Sequence, residues 1–143
     1  MKIFERETRA YVTAVREARE RWADRVQIFI GCEVSWPRNQ AYMNTLRTML
    51  GGIDYVLFEH MDWAALTQLA NQAKRFPCPV GLAHTDVSVQ MPHTSYDQIV
   101  RTLANARIFY EMSAKYMPLP EGDGWYNILP MHRVPVSLGT DTH

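Results

Sequence analysis

Apolar residues recur along this chain in two rhythms that take turns. From residue 2 to 24, Phe4, Tyr11, Val15, Ala18 and Trp22 fall at steps of seven, four, three and four with Arg and Glu between them, which predicts an amphipathic helix. Glu5 with Arg9 and Glu17 with Arg21 support it at four-residue spacing. Val26 to Val34 (VQIFIGCEV) is instead a nearly unbroken apolar run, as in a strand buried on both faces. A loop is expected at Trp36 to Asn39. Met43, Leu46, Met49 and Leu50 then form a helical stripe that Gly51 and Gly52 stop.

The alternation continues. Ile53 to Met61 reads as a second strand, and Asp62 is the expected N-cap of a helix with Leu66, Leu69, Ala70 and Ala73 on one face, ended by Pro77. Pro79 to His84 is the third strand and Thr85 to Thr94 a loop. Ser95 with Gln98 matches a capping box opening the helix of Tyr96, Ile99, Leu103 and Ala106. Arg107 to Ser113 is the fourth strand and Lys115 to Gly124 a Pro and Gly loop. Trp125 to His132 is a short helix weakened by Pro130, and Val134 onward is the fifth strand. Strand and helix in strict alternation predict an α/β fold with a parallel sheet, in one domain over residues 1 to 143.

Composition narrows the class. The 143 residues are 47% hydrophobic, and fifteen basic residues cancel fifteen acidic ones, so no global field draws the chain to nucleic acid or membranes, although a local basic groove stays open. No apolar run reaches membrane-spanning length and the charged amino terminus is no secretory signal, so a cytoplasmic protein is expected. Cys32 and Cys78 are expected to be free thiols, with Cys32 read as a strand residue rather than a ligand.

Candidate chemistry gathers at the strand ends. Glu33, His60, His84, Glu111 and Asp141 stand at the carboxyl ends of the five strands, at steps of 27, 24, 27 and 30 residues. The carboxyl ends of parallel strands share one face, where such side chains converge. Carboxylates and imidazoles buried together there call for a neutralising cation, and they are the ligands that manganese, zinc and iron accept. Asp141 and His143, two apart beyond the last strand, add a further pair. His93 and His132 lie off the strand ends and read as surface residues. Asp86 is equally an orienting partner for His84 or an N-cap.

The segments GCE at Gly31 to Glu33, DYVLFEH at Asp54 to His60, LAH ending at His84, FYEMS around Glu111 and GTDTH at Gly139 to His143 resemble those of the polymerase and histidinol phosphatase (PHP) family of metal-dependent phosphoesterases. The resemblance implies a distorted (β/α)7 barrel holding up to three divalent metals, usually manganese, zinc or iron. It implies Glu33 as a bridging ligand, His60, His84, Asp141 and His143 as terminal ligands, and Glu111 in a supporting position. Asp141 and His143 would also be catalytic, on a small phosphorylated substrate. The family's opening H-x-H, and a histidine or aspartate before its GCE strand, have no counterpart here. The chain is therefore expected to supply about five β/α units of a partial PHP domain.

Lys115 is a candidate phosphate contact, set against an ordinary surface lysine. Trp36, Trp63, Tyr116 and Trp125 are candidates for lining a pocket, set against packing under the loops. Two other functions stay open: an amidohydrolase-type C–N hydrolase, against which Glu33 stands where a lysine would be, and a non-catalytic PHP-like structural module.

Overall fold

The computed structural model describes residues 2–113 and 124–140. Helix α1 (Lys2–Arg21) leads into β1 (Gly31–Ser35), followed by α2 (Trp36–Asn39), a 3-10 turn and α3 (Met43–Met49). Next come β2 (Tyr55–Glu59), α4 (Trp63–Ala70), β3 (Val80–Leu82), α5 (Val87–Gln90), α6 (Tyr96–Ala106), β4 (Ile108–Ser113), α7 (Trp125–Met131) and β5 (Val136–Gly139).

The five strands form one sheet in the order β1-β2-β3-β4-β5, every pair parallel. Each crossover therefore steps to the next strand in the same direction. Right-handed crossovers of that kind place every helix on one face, whereas a doubly wound sheet reverses its order midway. The order is compatible with an arc of an α/β barrel.

Burial follows this asymmetry. Alternation puts Val34, Val56, Phe58, Val80, Leu82, Ile108 and Tyr110 on one face, where all are buried in a single core with Leu46, Leu66, Leu69, Ile99, Leu103 and Leu129 of the helices. The other face carries Glu33, Tyr55, Glu59, Phe109 and Glu111, which are half-buried or, for Glu33, exposed. Close packing there needs glycine. The Tyr55 ring lies where a Cβ on Gly31 would be, Phe109 covers Gly81, and Glu111 crosses Gly139. Tyr55 and Phe109 meet edge to face at 6.1 Å between ring centroids.

Several boundaries differ from the sequence reading. Trp36 to Asn39 is a helical turn rather than a loop, because Pro37 in a first turn forfeits no hydrogen bond and Trp36 is buried edge-on against Phe58 at 5.6 Å. The stretch Thr85 to Thr94 holds α5, whose N-cap is Asp86: its Oδ1 accepts the Ser88 and Val89 amides at 3.0 and 3.3 Å. Strand β1 begins at Gly31, opposite Tyr55, and residues 26–29 before it have no ladder partner. Expected caps are present elsewhere. The Asp62 carboxylate accepts the Ala65 amide at 2.7 Å and the Ser95 hydroxyl accepts the Gln98 amide at 3.3 Å.

Candidate metal centre

Glu33 is the third residue of β1 and projects from the less covered face. Register places Leu57 beside it and Glu59 beside Ser35, so Glu33 and Glu59 share that face at the carboxyl end. The equivalent position past β3 is Ala83, which offers no donor atom. His84 follows it with a left-handed backbone, φ 25°, and its ring comes back to the carboxylates. Nε2 stands 3.2 Å from Glu33 Oε1 and 3.8 Å from Glu59 Oε2.

These three residues offer ligand atoms that all lie within 4.8 Å of one another. Donors about 2.0–2.1 Å from one tetrahedral cation stand about 3.4 Å apart. The separations of 3.2 and 3.8 Å bracket that value. Among the described residues, the ion partners of Glu33 and Glu59 are histidines, with no lysine or arginine compensating the pair. The donor set thus fits a small divalent cation in chemistry, size and charge.

Around the triplet, neighbouring groups hold it. Glu111 Oε2 accepts the backbone N–H of His84 at 3.1 Å, fixing the turn that delivers the imidazole. His60 follows Glu59 in a left-handed conformation, φ 58°. Its Nδ1 lies 3.2 Å from Glu59 Oε1 and 3.4 Å from Ser35 Oγ, and its side chain is 63% exposed.

Of the residues expected to bind metal, the structure brings Glu33 and His84 together with Glu59, which sequence reasoning passed over, and leaves His60 beside them. Asp141, His143 and Lys115 lie outside the described residues, as does Tyr116. Glu59 was legible in one signal. Counting in twos from Tyr55, opposite Gly31, puts Glu59 on the Glu33 face and His60 on the other, but that count needs the register.

The remaining candidates have structural roles. Trp36 and Trp125 are buried in the core and Trp63 packs against it. His93 is exposed, and His132 Nε2 pairs with Asp97 Oδ1 at 3.4 Å, away from the sheet edge. Alternation turns Cys32 away from the Glu33 face and it packs against the core, where burial, then the nearby Glu33 charge, pushes its thiol up. A cleft of about 540 Å³ between Arg19, residues 23–29 and Asp54 opens at the amino end of the strands, opposite the carboxylates. No helix among the described residues is long and apolar enough to cross a membrane.

No family model, curated protein or solved structure matches the chain.

Proposed function

We propose that this chain is a partial PHP-type domain that binds divalent metal at the carboxyl edge of its sheet and hydrolyses phosphate esters. The observation that carries the reading is the convergence of Glu33 and His84, 51 residues apart, beside a second carboxylate and without a compensating lysine or arginine among the described residues. The family-like segments on β1 to β4 support it, since they end at this edge of a barrel-like arc.

Glu33, Glu59 and His84 would hold the cation, with Asp141 and His143 completing the set. When bound, a divalent cation there lowers the pKa of a coordinated water and neutralises the phosphoryl oxygens. The chain's own groups do the rest. Glu111 keeps the His84 backbone turned inward, so the imidazole is oriented before metal or substrate arrives. Asp141 or His143 beside the leaving oxygen would donate its proton, and Lys115 would steer the phosphate.

The test pairs metal content with turnover. The purified chain, loaded with Mn(II), Zn(II) or Fe(II), is assayed on phosphomonoesters, nucleotides and short oligonucleotides beside Glu33→Gln and a double variant Asp141→Ala, His143→Ala. Metal retained by the parent and lost from both variants, with phosphate release by the parent alone, is the expected result. Equal, negligible metal in all three proteins would overturn the metal-centre reading. Bound metal with turnover of amides but not phosphate esters would move the function to C–N hydrolysis.

A further inference from the structure

Resting on the reading of this edge as a metal centre, we propose that strand β2 supplies its ligand from Glu59, and that His60, the residue the family pattern assigns, instead holds Glu59 in place. Glu59 is the last residue of β2 on the face shared with Glu33, and its Oε2 is the oxygen 3.8 Å from His84 Nε2. Its other oxygen, Oε1, faces His60 Nδ1 at 3.2 Å. The two oxygens thus divide the work, one turned to the donor triplet and one tied to the imidazole behind it.

His60 is badly placed to be the ligand itself. Alternation sends residue 60 to the helix side of the sheet, and the left-handed backbone at φ 58° that breaks the alternation leaves its side chain 63% exposed, against 21% for Glu59 and 20% for His84. Its ring is not among the donor atoms that lie within 4.8 Å of one another, and its Nδ1 is turned to Glu59 Oε1 and, at 3.4 Å, to Ser35 Oγ. Carboxylate ligands are ordinarily steadied by such an outer donor. His60 is therefore a positioning residue.

The experiment uses the full chain and Mn(II), with affinity from calorimetry and coordinated nitrogen from electron spin echo modulation. Glu59→Gln is expected to weaken Mn(II) binding more than about a hundredfold, beyond the 10–100-fold that losing an outer partner costs. His60→Gln should weaken it by about tenfold while leaving the nitrogen modulation unchanged, and His84→Gln should diminish that modulation. Circular dichroism checks that each variant folds, and Glu59→Asp, which keeps the carboxylate, provides a second variant with intermediate affinity. Loss of nitrogen modulation in His60→Gln, with near-parental affinity in Glu59→Gln, would overturn the assignment while leaving the metal centre standing. Parental binding by Glu33→Gln would instead remove the centre, and this inference with it.

Discussion

Asp54, just before β2, gathers three elements with one carboxylate. Its Oδ2 accepts the Ile30 amide at 2.6 Å and pairs with the Arg19 guanidinium, so α1 is tied to the amino ends of β1 and β2. The Ile30 amide, helped by Arg19 and Arg16 and opposed by burial, holds its pKa below the ordinary 3.8. A carboxyl depressed in the folded state contributes stability above its unfolded pKa and loses it as pH falls through the folded value. Urea melts should therefore show Asp54→Asn less stable than the parent at pH 7, with the gap shrinking below about pH 4. A gap of equal size at pH 3 would contradict this account. The residue scale is also where the sequence was least legible. Glu59 and His60 are adjacent and both plausible ligands, and only the β1–β2 register and a left-handed φ at His60 say which of them faces Glu33.

The elements were far easier to read. Helix α6 is the clearest, with Ile99, Val100, Leu103 and Ala106 buried, Ser95 at its start and Arg107 closing it in a left-handed conformation. Because the Ser95 hydroxyl satisfies an otherwise unpaired first-turn amide, Ser95→Ala should cost about 1 kcal/mol. The denaturant midpoint should fall with an unchanged slope, and an unchanged midpoint would mean that water replaces the cap. Element ends were less legible, because a strand lasts only while a neighbour pairs with it. The apolar run from Val26 continues without a break into β1, yet the ladder starts at Gly31 because the chain before Tyr55 is a Gly51–Gly52 turn and not strand.

At the scale of the whole molecule, a singly wound parallel sheet covers one face with helices and leaves β1 and β5 as its edges. On β5, Val136 is 44% and Leu138 82% exposed, with Met131 of α7 at 78%. Apolar side chains on an edge strand favour self-association. Light scattering over a concentration series should show association by the parent that Leu138→Lys reduces. The variant's stability should stay within about 0.5 kcal/mol, as expected for an exposed site. A monomeric parent at every concentration would overturn this prediction.

The sequence by itself determined the kind and order of the elements and the alternation that makes the fold α/β, because periods of 3.6 and 2 are local and each segment carries its own. It also marked the strand ends as the place where carboxylates and imidazoles collect. Only the tertiary structure decided that the strands lie in sequential order, that Tyr55, Phe109 and Glu111 pack over glycines on neighbouring strands, and that Glu59 joins Glu33 and His84. Those outcomes depend on register between strands some 24 to 28 residues apart and on backbone turns at His60 and His84, which no local pattern encodes.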